Sequence, residues 1–275
     1  MNVAVIGCGY LGGDVASLWK KRGLHVTATT RHPEKLDALS HVAQKGVLIK
    51  GNDELELAPL IANNEVLLVS VAADSPQDYQ SAYRDTAQIF RHLALEMDLP
   101  RTLIYTSSTT VYGDHQGRWV DEESDLLAKT EQGKVLIEAE EIYQSLAELG
   151  WHVCIFRLAE LYGPGRELAE RVRHFEGKTL PGTGTHYTNM VHLADASGAI
   201  DYGFRHKLEG IYNLADDDHP TRKELYDLVA HHYKLPPPQW DPKLPNGMHS
   251  GNKRVSNHKI KAEGYALRHA HRVIH

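Results

Sequence analysis

Apolar and polar positions alternate along this chain between short continuous apolar runs and longer amphipathic stretches. The first run, Asn2–Ile6, reads Asn-Val-Ala-Val-Ile, and comparable runs recur at 23–28, 46–50, 65–72, 102–107 and 151–157. Segments with helical spacing lie between them, at 14–21, 33–44, 55–62, 78–96 and 130–149. Apolar runs of strand length that alternate with helices are buried on both faces. The pattern therefore predicts an α/β fold, a Rossmann-like doubly wound parallel sheet. Beyond residue 163 the apolar runs shorten and Gly, Pro and His become frequent. This predicts a main domain over 1–162 and a smaller C-terminal substrate lobe over 163–275, with some lobe segments returning to the main sheet.

The first predicted strand runs directly into Gly7-Cys8-Gly9-Tyr10-Leu11-Gly12-Gly13. A glycine pattern alone is weak, but here a strand precedes it, a helix follows and a second strand comes next, which is the context a dinucleotide site requires. Gly7 permits the tight turn, Gly9 lets the backbone approach a pyrophosphate, and Gly12 lets the helix pack closely while its N-terminal N–H groups, with Tyr10 and Leu11, face the phosphates. The end of the second strand, Thr29-Thr30-Arg31-His32, lacks the acid that binds a ribose 2′-hydroxyl. Arg31 stands where a guanidinium pairs with a 2′-phosphate and Thr30 adds a hydroxyl, so NADP is expected ahead of NAD. Small residues at the end of the fourth strand, Ala72 and Ala73, are expected to let the cofactor lie across the strand ends.

Composition narrows the class. With 275 residues, 41% of them hydrophobic, the chain can bury a sizeable core, and its formal net charge of −6 with scattered basic residues carries no nucleic-acid footprint. No apolar run reaches membrane-spanning length and the short apolar opening is needed as the first strand, so neither a membrane anchor nor a signal peptide is expected. Cys8 and Cys154 form no disulfide framework, which points to a cytoplasmic protein. The 18 histidines, among them His231, His232, His249, His258, His269, His271 and His275, show no ligand spacing with carboxylates or cysteines, and no metal is expected.

The stretch Ser107-Ser108-Thr109-Thr110-Val111-Tyr112-Gly113, with Arg157, Tyr162-Gly163-Pro164-Gly165, the segment 188–195 and Asn252-Lys253-Arg254-Val255-Ser256-Asn257, resembles the extended or atypical short-chain dehydrogenases/reductases, the group of nucleotide-sugar epimerases and dehydratases. The resemblance covers most of the chain. It implies that Ser108 binds the reacting oxygen, that a Tyr-x-x-x-Lys pair follows on the next long helix, and that His192 and Asp195 shape the lobe. Lys134 and Glu138 fit that frame, but Thr130 occupies the tyrosine position. A phenol near pKa 10 can be tuned toward neutrality by a lysine and an aliphatic hydroxyl cannot. Glu160, in a stretch that in the family faces nicotinamide and substrate, is the first candidate for a replacement acid, through a carboxyl pKa raised by desolvation. Tyr112 is the second, and Glu131 is expected to point to another helix face.

The resemblance implies hydride transfer at a carbinol or carbonyl carbon of a small polar metabolite such as a nucleotide sugar. An isomerase or dehydratase with a transient hydride step, and a non-catalytic NADP-sensing or scaffold protein, are the alternatives. It also implies a homodimer through the helices at 78–96 and 130–149; Tyr83, Ala87, Phe90, Leu136, Ala139 and Ile142 have the spacing either to form that seam or simply to cover the sheet.

Overall fold

A computed structural model describes residues 1–50, 52–97, 99–176, 178–244 and 251–274. The strands are β1 (Asn2–Ile6), β2 (His25–Thr30), β3 (Lys45–Leu48), β4 (Val66–Val69), β5 (Thr102–Ser108), β6 (Trp119–Val120), β7 (His152–Leu158), β8 (Glu160–Tyr162), β9 (Thr179–Pro181), β10 (Met190–His192), β11 (Gly210–Leu214), β12 (Gln239–Asp241) and β13 (Arg254–Val255). The helices are α1 (Tyr10–Lys21), α2 (Leu39–Val42), α3 (Glu54–Asn63), α4 (Thr86–Met97), α5 (Glu131–Ser145), α6 (Leu168–His174), α7 (Leu193–His206), α8 (Arg222–Tyr233) and α9 (His258–Ala262).

Seven strands form one sheet in the order β11-β7-β5-β4-β1-β2-β3, the doubly wound α/β architecture that the hydrophobic pattern predicts. Side chains alternate across it, as the two-residue period of a strand requires. Ala4 and Ile6 of β1, Leu67 and Val69 of β4, Leu103 and Tyr105 of β5 and Val153 and Ile155 of β7 join one core with Leu57 and Ile61 of α3, Phe90 of α4 and Tyr143 of α5. Neighbouring positions face the other way. A Cβ on Gly12 of α1 would meet Val5, and one on Gly203 of α7 would meet Phe156 and Cys154. Chain order reverses at β1, which pairs in parallel with β2 on one side and β4 on the other, so the carboxyl ends of β1 and β4 border the switch-point crevice.

The chain divides into two compact units. One comprises 1–108, 129–157 and 197–212, and the other 109–128, 158–196 and 213–275. Both are assembled from separate stretches of sequence, whereas the pattern of apolar runs suggested one boundary at 162. The stretch 197–212 is the part of the expected lobe that belongs with the sheet. In the second unit Tyr162, Leu168, Val172, Leu180, Met190, Leu225, Tyr226 and Val229 form a separate core. No described helix is long and apolar enough to cross a membrane.

Three expected helices differ. Segment 33–44 forms only the tight turn Pro33–Lys35 and the four-residue α2. Leu39 and Ala43 are its only fully buried apolar anchors, too few to order a longer helix. Segment 78–96 contains a π-helical stretch, Gln80–Asp85, ahead of α4, and Thr86 Oγ1 donates to the Ser81 carbonyl five residues back at 3.2 Å. Segment 130–149 is helical only to Ser145, then tightens over Leu146–Leu149 and ends at Gly150 with φ +79.

The residues with the spacing of either a dimer seam or a sheet cover lie against the sheet. Ala87, Phe90, Leu136 and Ala139 are buried in the core of this unit, with Tyr83 and Ile142 packed against it. An α/β sheet needs its own helices to cover it, and these residues do that.

Candidate functional site

The glycine turn after β1 is fixed by close contacts. Gly7 has φ +88, where L side chains are strained, and a Cβ there would lie 2.7 Å from the Ser70 carbonyl oxygen beyond β4. A Cβ on Gly12 would lie 2.4 Å from the Gly7 carbonyl oxygen. Thr29 of β2 holds the turn from the side, accepting from Gly7 N–H on its hydroxyl at 3.0 Å and from Cys8 N–H on its carbonyl at 2.8 Å. Burial pushes the Cys8 thiol up to about 11, so it is a packed thiol rather than a thiolate.

Gly9 is different. Among the described residues a Cβ there would meet no atom within 4 Å, so no described packing contact requires a glycine at this position. Gly9 is also the N-cap of α1. No side chain caps that helix and no acid stands in its first turn, which leaves an electropositive helix start opening on the same space. Tyr10 is half-buried and Leu11 buried at the head of α1. The donor set and the open approach over Gly9 fit a pyrophosphate.

At the end of β2 the Thr30 hydroxyl accepts from His32 N–H at 3.2 Å. Arg31 Nη2 donates to the Ala72 carbonyl at 3.0 Å and lies 2.6 Å from Asp74 Oδ1. The Arg31 hydrogen bond holds the Asp74 carboxyl below the usual carboxylate range. Ala72 is exposed and Ala73 half-buried just beyond β4.

Ser108 ends β5 half-buried. The residue before it anchors a cluster that the sequence reading missed. Ser107 Oγ donates to Glu140 Oε1 at 2.5 Å, and Glu140 pairs with Arg157, whose Nη2 and Nε lie 2.8 and 3.1 Å from Oε2. Glu140 is 1% exposed and Arg157 2%. The cluster joins β5, α5 and β7 in one unit. The signal was present: Glu140 lies on the apolar stripe of Leu136, Ala139 and Tyr143, and Arg157 ends an apolar strand, so each charge needs the other. Glu138, which the family frame favoured, is instead exposed, its carboxylate 3.4 Å from Arg84.

Thr130 is the N-cap of α5, its hydroxyl accepting from Gly133 N–H at 3.1 Å. The hydroxyl in the tyrosine position thus serves the helix start. Lys134 is exposed, and its ammonium hydrogen-bonds Glu131 at 2.8 Å, which raises the lysine pKa. Glu131 and Lys134 therefore share a helix face, contrary to the separate faces expected.

In the other unit, Tyr112 is fully buried and donates to Asn213 Oδ1 at 2.8 Å, while Asn213 N–H donates to Glu122 at 2.7 Å. Glu160 opens β8 with its side chain 50% exposed and Arg171 Nη2 2.5 Å away. Its carboxylate is thus half-exposed at the start of β8 and met by a guanidinium. The buried amine of Lys253, also missed as a candidate, donates to the Gly113 carbonyl at 3.2 Å, and burial brings it down to about 8.

His192, Asp195 and His269 come together despite their distance in sequence, a proximity that residue spacing did not reveal. Asp195 accepts from Arg268 N–H, His269 N–H and His269 Nδ1, and the two imidazoles stack with centroids 3.8 Å apart. These contacts tie 268–269 to α7, a structural use of the group. His249 and His275 lie outside the described residues.

Residues 3–215 match the family model described as "NAD dependent epimerase/dehydratase family". The chain belongs to this family. It is 34% identical over 251 residues to Protein YeeZ of Escherichia coli strain K12, covering 90% of this chain and 89% of that protein. Among solved structures it is similar to a functionally unknown conserved protein from Silicibacter pomeroyi DSS, with TM-score 0.81, 25% identity and coverage of 98% and 94% of the two chains. It has the fold of the UDP-glucose 4-epimerase of Thermus thermophilus, solved in complex with NAD, with TM-score 0.82, 17% identity and the same coverages.

Proposed function

We propose that this protein is an oxidoreductase or epimerase-like enzyme that binds NADP(H), with NAD as the weaker alternative, at the carboxyl ends of β1 and β4. It acts on a carbinol or carbonyl carbon of a small polar metabolite such as a nucleotide sugar, in a reducing compartment that suits two cysteines outside any disulfide, Cys8 and Cys154. The observation that carries this reading is Gly9, whose missing side chain leaves an approach to the head of α1 and is explained by no contact among the described residues. Family membership supports the cofactor class, and the nucleotide sugar is suggested by the name of the epimerase with the same fold.

A bound nicotinamide supplies the hydride acceptor or donor. The residues of the chain do the rest. The 7–12 loop and the N–H groups at the head of α1 hold the pyrophosphate, Ala72 and Ala73 leave room at the strand ends, and Arg31 meets the 2′-phosphate. Ser108 orients the reacting oxygen, with β5 held behind it by the Ser107–Glu140–Arg157 cluster. In the second unit we propose Glu160, held by Arg171, as the acid that stands in for the proton carrier missing at Thr130.

One observation favours a non-catalytic sensor as the second reading. Thr130 caps its helix, Lys134 is paired with Glu131, Glu160 with Arg171, and the buried Tyr112 hydroxyl with Asn213. The enzyme reading expects nicotinamide reduction or oxidation when the NADP-loaded protein meets a panel of nucleotide sugars. Tight cofactor binding with no turnover across the panel supports the sensor. In the same titrations, Arg31→Asp is expected to weaken NADP by roughly tenfold or more relative to NAD, through loss of a charge-assisted contact and gain of a like charge. An unchanged preference would remove the 2′-phosphate assignment.

A homodimer remains part of the proposal. We seat it on the outward surface of α4 and α5, where Gln88, Arg91, His92, Leu95 and Ile142 line a groove and Leu95 is 53% exposed. Light scattering at micromolar concentration is expected to give twice the chain mass, and a monomeric mass would contradict this.

A further inference from the structure

The sequence offers no acid at the end of β2, yet the folded chain supplies one from elsewhere. Asp74, from the segment after β4, reaches the end of β2 and puts Oδ1 2.6 Å from Arg31 Nη2, with Oδ2 3.6 Å from His32 Nε2. The same Arg31 nitrogen is tied to the Ala72 carbonyl. We propose that Asp74 sets the discrimination between the two dinucleotides, by engaging the guanidinium that would meet a 2′-phosphate and by placing a second anion beside it. The proposal rests on the cofactor reading above.

The loop carrying Asp74 leads into the π-helical stretch Gln80–Asp85, whose Tyr83 hydroxyl lies near the Ala73 backbone. Burial pushes that phenol up to about 12, so it stays neutral. Ser75 Oγ donates to Asp78 Oδ2 at 2.8 Å. The Arg31 hydrogen bond, reinforced by the charges of Arg31, His32 and Lys35, keeps Asp74 ionised at neutral pH.

Two opposed preferences then meet at one place. A 2′-phosphate gains from Arg31 but must displace or share it with a carboxylate, and like charges brought close repel. A 2′-hydroxyl is a donor that a carboxylate accepts, the role an acid at the end of the second strand has in NAD sites. With Arg31 alone the preference for NADP would be steep. With Asp74 on Arg31 it is held down, and NAD remains usable.

The test is titration of NADP and NAD, separately, against intrinsic fluorescence of the wild type, Asp74→Asn and Asp74→Ser. Both substitutions remove the charge at a half-exposed position, and melting temperatures confirm that the fold is intact. Removing the carboxylate is expected to tighten NADP about tenfold, as one like charge is lost in a partly solvated site, and to leave NAD unchanged or slightly weaker. An NADP/NAD ratio within about twofold of wild type in both variants overturns the assignment of Asp74. So does a ratio that moves toward NAD. If the ratio responds to Arg31→Asp but not to Asp74→Asn, the cofactor reading stands and only the role of Asp74 falls. A wild type that binds neither dinucleotide removes the cofactor reading, and this proposal with it.

Discussion

Glu140→Ala is expected to cost about 3–5 kcal/mol of stability. The reason lies in what remains. Arg157 is 2% exposed and ends β7, so removing its carboxylate leaves a guanidinium desolvated and without the bidentate partner that justified its burial. Ser107 loses its acceptor at the same time. For a chain of this size each kcal/mol corresponds to about 2–4 °C, so the melting temperature should fall by roughly 10 °C. The double variant Glu140→Leu/Arg157→Met removes both charges together and should recover most of the loss, because an apolar pair of similar volume needs no desolvation. Thermal unfolding of the two single variants and the double variant checks this. A Glu140→Ala protein that melts with the wild type would show that the pair carries no structural weight.

The parts of the fold that were legible in the sequence are those where local pattern and tertiary demand coincide. The buried strands β1, β4, β5 and β7 are apolar runs because both faces of the sheet are covered, and such a run reads the same before and after folding. The turn at Gly7 was legible for a similar reason, since its positive φ and the close approach of Ser70 leave no other residue type comfortable. Less legible was anything decided by a partner distant in sequence. Segment 33–44 has a helical pattern but too few residues that reach the core. Tyr83, Ala87 and Phe90 have the spacing of an interface stripe, yet the sheet needed them first.

The site shows the same division. Thr130 announced itself as a departure from the family pair, but its use as a helix cap depends on where α5 begins, which periodicity places only to within a few residues. The pattern around Glu160 suggests an enclosed acid, whereas Arg171, from α6, gives its half-exposed carboxylate an ion-pair partner. Asp74 was invisible as a partner of Arg31, because the acid that stands at the end of β2 in space arrives from the segment after β4 in sequence.

The second large effect is expected at Gly9, and it separates binding from folding. Gly7 and Gly12 are demanded by the fold itself, so substituting either perturbs the turn whatever binds there. Gly9 is not, for its φ is negative and its Cβ would meet no described atom within 4 Å. If the glycine is there because a pyrophosphate must come close to the backbone, a single methyl group is enough to obstruct it while the protein remains folded. The most direct measurement is therefore a paired titration of NADP and NAD against wild type and Gly9→Ala, each with its melting temperature taken without ligand. The account predicts that the wild type binds, that the variant melts within about 2 °C of it, and that affinity for both dinucleotides falls by roughly tenfold or more, at least 1.4 kcal/mol. Undiminished binding in a folded Gly9→Ala protein would contradict it.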